Sequence, residues 1–379
     1  MRAPRGVRER NTVIAGVGKS QTGRRLQRAP IELVLEACLA AVSDAGLALG
    51  DIDGLVHVPG GPGIAELQDV LSFDLAWHGS IAGGPAQLSA VMQASMAVSS
   101  GLCRHVLVYH HVATRGAGPP GPPRAAGGDQ WLLPFRAATP MHWNALRGAR
   151  FLHEANVSRE QLGAIVLNAR RNAAANPAAV YTEPLTMEDY LAARVISTPI
   201  TLLDCDVPVD GCTAFVVSHA DYAPDAPQPA VQLHAFGAAL STRLRWTEWD
   251  DVTDVMDEVA AQLWSRSVVG PDDVDVAALY DGFSFHTAMW IQALGFCERG
   301  EVGAFLEGGE RIARTGSLPL HTDGGQLSGG RLHGFGHLAE ACWQLRGDLG
   351  ERQVEGAEVA VVTNGASPIA GAMVLTRRR

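Results

Sequence analysis

One order of elements runs twice along this 379-residue chain, and that repeat limits the folds open to it more than any single motif does. Residues 12–17 (TVIAGV), an apolar run closed by glycines, read as a buried strand. Pro30 suits a first helical turn and opens an amphipathic helix over 30–45, with Ile31, Val34, Leu35, Cys38, Leu39 and Val42 on one stripe. Gly46 ends it, and 51–58 (DIDGLVHV) returns as a strand. A glycine turn from His78, a helix almost free of charge and a strand over 105–112 (HVLVYHHV) follow. Beyond a proline-rich linker that starts at Pro224, the order resumes. It runs as a strand at 230–235, a helix with Val252, Val255, Met256, Val259 and Leu263 on one face, and a strand at 272–280. A glycine-rich turn from His321, a helix-like run over 337–345 and a strand at 358–364 complete it. Such a repeat implies two α/β halves, 1–225 and 226–379, and an internal duplication. Residues 115–197 interrupt the first half with a proline- and glycine-rich excursion and a helical region, and read as an inserted cap.

Within the second half, LPLHTDGGQLSGGRLHGFGHLAEACWQLRG is the stretch with the most chemistry. Glycine loses more entropy on ordering than any other residue, so this run needs a return. One reading is a backbone that lies flat against a ligand and offers it free N–H groups, with Gly324 and Gly325 in an oxyanion or substrate site. Another is a mobile surface loop. Arg331, His333 and His337 add side-chain chemistry to the run. His321, His333 and His337, with Glu340 nearby, are metal-ligand types. Glycines break the helix that an i, i+4 pair of histidines needs, so no metal is expected.

Composition removes several function classes. The chain is 47% hydrophobic and 18% charged, enough for a large core. A net charge of -10 argues against a general nucleic-acid or anionic-membrane binder. No apolar run is long enough to span a bilayer and the start lacks a signal-peptide core, so a cytoplasmic protein is expected. Six scattered cysteines without a CxxC pair read as reduced, mostly buried thiols. Lys19 is the only lysine, so a Schiff-base mechanism would have to use it. Its GVGKSQTG context is not a phosphate-binding P-loop, because Val13 stands where the first glycine is required.

Three segments, YDGFSFHTAMWIQALGFCERGE, LPLHTDGGQLSGGRLHGFG and VEGAEVAVVTNGASPIAGAMVLT, are similar to the C-terminal half of the thiolase-like lipid-transfer proteins (the sterol-carrier-protein-x group). Within that group they most resemble the steroid side-chain-cleaving aldolases, which act on acyl-CoA. The resemblance implies an α/β thiolase fold, two duplicated halves in a layered sandwich with an inserted cap. It also implies that the thiolase cysteine is lost, because Ser80 to Gly84 (SIAGG) fill its place, and that Arg331 stands near the thiolase histidine. Tyr280 of YDGFS holds the position where thiolases carry a histidine, and with His333 it is the implied catalytic pair; the other reading is a tyrosine bonded at the core edge. A phenolate at Tyr280 would need support from Arg331 or His333. Relatives of the aldolase type carry a second acid/base tyrosine where this chain has Phe335, which is therefore expected to line the substrate site; either His333 or His337 substitutes as proton donor, or the reaction differs, or catalysis is weakened. His286 is either a support of the site or a satisfied core residue.

The implied reaction is retro-aldol cleavage of a bulky β-hydroxyacyl-CoA to a ketone and a short acyl-CoA, with no cofactor beyond the acyl-CoA substrate. The alternatives are a cysteine-independent acyltransferase or condensing enzyme, and a non-catalytic acyl-CoA or lipid binder. The family further implies a homodimer and a small OB-fold/zinc-ribbon partner subunit, together a heterotetramer.

Overall fold

The computed structural model describes residues 7–81, 87–114, 129–137, 139–241 and 251–378. The first half holds β1 (Thr12–Lys19), α1 (Pro30–Asp44), β2 (Gly54–Val58), α2 (Ile64–Leu71), β3 (Trp77–Ser80), α3 (Leu88–Ser99) and β4 (His105–Val112). Next come α4 (Asp129–Leu132), α5 (Pro140–Glu154), α6 (Arg159–Ala173), α7 (Met187–Leu191), the small hairpin β5 (Val195–Ser197) and β6 (Ile200–Thr201), and β7 (Gly211–His219). The rest is β8 (Val231–Leu240), α8 (Asp254–Arg266), β9 (Val276–Ala278), α9 (Ser284–Ala293), α10 (Val302–Leu306), α11 (Phe335–Arg346), β10 (Val359–Ala366) and β11 (Ile369–Arg377). Ala82, Gly83 and Gly84 of the expected nucleophile turn, and residues 115–128 of the excursion, lie outside the described residues.

Nine strands are bonded in the order β3-β2-β4-β7-β1-β8-β11-β10-β9. From the β1–β8 seam outward, each side has two antiparallel pairings followed by a parallel one. These are β1–β7, β7–β4 and β4–β2 on one side, and β8–β11, β11–β10 and β10–β9 on the other. The seam itself is narrow, with Val13 opposite Gln232 and Ile14 opposite Val231. On the first side β3 extends the sheet beside β2. On the second, the chain at Pro319–His321 lies along β9: Ala277 N–H donates to Pro319 O at 2.9 Å and His321 N–H to Ala277 O at 3.2 Å.

Strand β9 spans three residues where a longer strand over 272–280 is expected. The acidic start is diverted: residues 271–273 form a 3₁₀ turn, and the Asp275 carboxylate accepts from the N–H groups of Glu358 and Val359. Tyr280 and Asp281 therefore fall just past the carboxyl end of the strand, where open α/β sheets place ligands.

Helices α3 and α11 share one core layer with the inward strand faces of both halves. A second cluster packs α1 on the outer face of the first half. A third packs α8, α9 and the cap helices on the outer face of the second. The cap is fastened to the glycine-rich run by a row of amides on and just beyond α6. Asn168 donates to Leu320 O at 2.9 Å, Asn172 to Leu320 O and His321 O at 3.0 and 3.1 Å, and Asn176 to Asp323 O at 2.8 Å. Arg170 Nε–H meets Ser328 Oγ at 3.0 Å.

Candidate active site

The glycine-rich run is ordered by a buried carboxylate. Asp281 is fully buried, and its Oδ2 accepts from Gln326 N–H at 2.8 Å and Leu327 N–H at 3.2 Å. His337 Nε2–H donates to Oδ1 at 3.0 Å. His321 turns Nε2–H to Leu279 O at 2.5 Å, leaving Nδ1 3.9 Å from the carboxylate. Burial alone would raise the Asp281 pKa, but His321, His337 and the backbone donors outweigh it and hold the group at about 2. The same carboxylate lifts His337 above its ordinary value against its own burial. Together they form a carboxylate–imidazolium pair beneath the loop.

Ligand atoms of Asp281, His321 and His337 lie within 4.8 Å of one another, an arrangement that resembles a metal site. Both carboxylate oxygens accept hydrogen bonds and His321 Nε2 is spent on a carbonyl, while His321 Nδ1 has no hydrogen-bond partner; as it stands the cluster acts as a hydrogen-bonded pin. Asp281 takes the place expected of His333. Glu340 is occupied by Thr322 at 2.8 Å and Arg352 at 2.7 Å.

The oxyanion role expected of Gly324 and Gly325 is corrected by their own bonds. Gly324 N–H donates to His321 O at 2.9 Å and Gly325 N–H to Asp323 Oδ1 at 2.8 Å. Both residues have positive φ, +99° and +57°. A Cβ at Gly325 would lie 2.2 Å from Asp281 Oδ2, and one at Gly324 2.6 Å from Ala173 Cβ. These glycines are needed for close approach to the protein's own carboxylate and cap helix.

The groups left for a ligand stand one layer above this pin. Tyr280, 8% exposed, is anchored by its N–H to Thr363 Oγ1 at 2.7 Å. The strip 205–209 threads between the YDG turn and the glycine loop. Asp206 N–H donates to Gly282 O at 3.2 Å, Val207 N–H to Gln326 O at 2.9 Å, and Arg331 N–H to Val207 O at 2.8 Å. This brings Asp206 Oδ1 to 3.5 Å from Arg331 Nη1. Among the described residues, the buried atoms Arg331 Nε, Gln326 Nε2 and His333 Nδ1 have no hydrogen-bond partner. Orphaned polar atoms cost about 1–3 kcal/mol each in a protein interior, so each calls for a partner, whether an ordered water or a ligand.

Electrostatics assign protonation states. Burial raises the Tyr280 pKa above its ordinary value and Asp206 raises it further, with Arg331 and Gln326 only partly opposing. Tyr280 is thus a neutral phenol, and the phenolate expected from Arg331 and His333 does not form in the free site. Burial, then Arg331 and His110, push His333 down to about 3, so its imidazole is neutral and lends no positive charge. Burial lifts the Asp206 carboxyl to about 7, Arg331 opposing and Asp281 adding to the rise.

His286 lies in the first turn of α9 with its ring stacked on Tyr280 at 5.9 Å and its Nε2–H on Asn144 Oδ1 at 3.1 Å. It backs the tyrosine ring. Phe335, expected in the site wall, is instead a fully buried core residue at the start of α11. Its ring meets Phe215 edge-on at 5.2 Å and His110 at 5.5 Å. Lys19 sits in the field of Asp323, Glu340 and Arg352, with burial lowering its pKa.

Asp206, Gln326 and the α6 amides escape sequence reasoning. Asp206 stands in DCDVPVDG, far from Tyr280 along the chain, and only the threading of that strip past the YDG turn brings them together.

Comparison with known proteins places this geometry. A family profile, thiolase C-terminal domain-like, matches residues 238–377. A steroid side-chain-cleaving aldolase of Thermomonospora curvata is 34% identical, covering 94% of this chain and 96% of the relative. The 17-hydroxy-3-oxo-4-pregnene-20-carboxyl-CoA lyase of Mycobacterium tuberculosis is 33% identical over 96% and 98%. A solved structure described as an Ltp2-ChsH2(DUF35) aldolase superposes with a TM-score of 0.91 at 31% identity, covering 97% of this chain and 98% of its own. The Acat5 thiolase of Ascaris suum, 14% identical with a TM-score of 0.70, shares the fold. The chain is a thiolase-fold protein and belongs to the thiolase superfamily, in the group of the steroid side-chain-cleaving acyl-CoA aldolases.

Proposed function

We propose that this chain is a carbon–carbon lyase that cleaves a bulky, steroid-like or polycyclic β-hydroxyacyl-CoA by a retro-aldol reaction, releasing a ketone and a short acyl-CoA. The observation that carries the reading is the neutral Tyr280 phenol set beside the unpartnered Nε of Arg331 and the Gln326 side chain, which bears on the Tyr280 hydroxyl as a hydrogen-bonding neighbour. As the Cα–Cβ bond breaks, its electrons pass into the thioester and charge gathers on the thioester oxygen. Donors aimed at that oxygen lower the barrier, and losing one costs about 3 kcal/mol. Arg331 Nε–H and Gln326 Nε2–H serve this role, and Tyr280 protonates the enolate carbon. His333, neutral and lodged beside Arg331, orients the donors. The names of the two similar lyases support a steroid-type acyl group.

Cysteine chemistry does not fit the site. All six thiols are free, and burial raises each one's pKa, to about 11 at Cys103 and Cys297 and about 12 at Cys205 and Cys342. Acyl transfer through a thiolate needs the opposite shift.

The same reading takes 1–225 and 226–379 as the two halves, with 115–197 as the insertion, and the outward repeat of strand pairing supports it. It includes a cytoplasmic homodimer and a small OB-fold/zinc-ribbon partner subunit; the DUF35 pairing in the similar aldolase's description supports the presence of a partner. Among the described residues no helix is long and apolar enough to cross a membrane.

The test is to incubate the protein, alone and with a DUF35-type subunit, with a polycyclic tertiary β-hydroxyacyl-CoA. Ketone and short acyl-CoA are then measured by mass spectrometry. Both products are expected from the wild type and neither from Tyr280→Phe. Binding without turnover under both conditions would show a carrier instead, and an active Tyr280→Phe enzyme would remove Tyr280 from the mechanism.

A further inference from the structure

Cleavage needs a base for the substrate's β-hydroxyl proton, and none of Tyr280, Phe335 and His333 can act as one. Tyr280 is a phenol. Phe335 is carbon only, and its ring is buried between Phe215 and His110. His333 is buried and has lost basicity beside Arg331.

Asp206 meets the requirement on geometry. Its backbone is held from both sides, by Gly282 O at 3.2 Å on its own N–H and by the Val207 contacts to Gln326 and Arg331. The YDG turn and the glycine loop therefore fix its position. Its carboxyl has a single hydrogen-bond partner among the described residues, Arg331 Nη1 at the long distance of 3.5 Å. The side chain keeps 15% exposure. A carboxyl so placed is costly to bury and under-used by the protein itself. It is also the charged group that bears most strongly on the Tyr280 hydroxyl. The groups that face it are Arg331, Asp281, Tyr280 and the neighbouring Cys205 thiol.

We propose that Asp206 is the general base of the retro-aldol step and that it returns the proton it gains to Tyr280, closing the proton cycle within the site. The inference rests on the lyase reading. The carboxylate takes the β-hydroxyl proton as the oxygen becomes the ketone and the Cα–Cβ bond breaks. The electron pair moves into the thioester as an enolate, and Tyr280 then protonates its α-carbon and becomes a phenolate. Proton transfer from the Asp206 carboxyl to that phenolate restores both groups. Atoms balance without an added reductant, oxidant or metal. The raised pKa of the carboxyl suits a base working near neutrality.

The test is the pH profile of kcat/KM for the wild type, Asp206→Asn and Asp206→Glu, each assembled with the partner subunit and each checked for its thermal melt and for binding of the product acyl-CoA. The wild type is expected to show an acid limb near pH 7. Asp206→Asn is expected to bind the acyl-CoA normally, to lose about 10²–10⁴-fold in kcat and to lack that limb. Asp206→Glu is expected to recover part of the rate with a displaced limb. A wild-type profile flat through pH 6–8, or an Asp206→Asn kcat within twofold of wild type, overturns the assignment of Asp206 and leaves the lyase intact. Absence of cleavage by the wild type overturns both.

Discussion

Two neighbouring acids illustrate how surroundings divide labour between like residues. Asp281 is buried yet held at about 2, because two histidines and two backbone N–H groups support its charge. Asp206, with one distant guanidinium, rises to about 7. The first is structural and the second is free for chemistry. Asp281→Asn leaves His337 without its counter-charge, and breaking such a buried pair costs about 3–5 kcal/mol. Urea denaturation at pH 7 should show a loss of that order, and a loss below about 1 kcal/mol would deny the pin. The pH dependence has opposite signs at the two acids. Asp281 has a depressed folded-state pKa, so its stabilisation is present above the unfolded value near 3.9 and is lost as pH falls toward about 2. Asp206 has a raised one, so the wild type loses stability as pH climbs from about 4 to about 7. Asp206→Asn removes that loss and should melt higher than wild type at pH 8, with the gap closing as pH falls to about 4.

The decisive element is the cap helix α6. Its sequence, REQLGAIVLNARRNA, opens with a Ser158 capping box whose Oγ accepts from Gln161 N–H at 3.1 Å. It carries Asn168 and Asn172 four residues apart, and so on one face. Those amides satisfy carbonyls of the segment that runs beside β9 into the glycine loop, and Asn172 alone serves two of them. Asn172→Ala removes one hydrogen bond from each of two buried carbonyls, leaving Leu320 O to Asn168 and His321 O to the Gly324 N–H. A stability loss of about 1–3 kcal/mol is expected, with faster amide exchange across residues 320–328 in hydrogen–deuterium measurements. Unchanged exchange there would mean that the cap does not order the loop. Helix α11 makes a related point. Expected to begin near His337, it starts at Phe335, because Gly334 at φ +83° lets the chain turn sharply into it. That two-residue difference puts Phe335 in the core.

Across the whole molecule, α3 of the first half and α11 of the second fill one hydrophobic layer, and the strands meet at the β1–β8 seam. Neither half buries its inner face alone. Calorimetry should therefore show one cooperative transition; two resolved transitions would mean that the halves unfold separately. The repeated order of strands and helices, the buried stripe of α8, part of that of α1 (Val34, Cys38 and Val42 are buried, Leu39 is exposed) and the likeness to the thiolase-like aldolases were legible in the chain, because periodicity and glycine turns are local signals. They brought Tyr280, Arg331 and His286 to one neighbourhood. Legibility failed where an outcome depends on segments distant in sequence. Whether Gly324 and Gly325 face a ligand or their own carboxylate depends on Asp281 and on Ala173 of α6. Whether Phe335 lines the site or the core depends on Phe215 and His110. The acid beside Tyr280 comes from a strip some seventy residues earlier, threaded past the YDG turn. Local patterns specify elements because they act over a few residues. Protonation, orphaned donors and the approach of one backbone to another's side chain exist only once the chain has closed on itself.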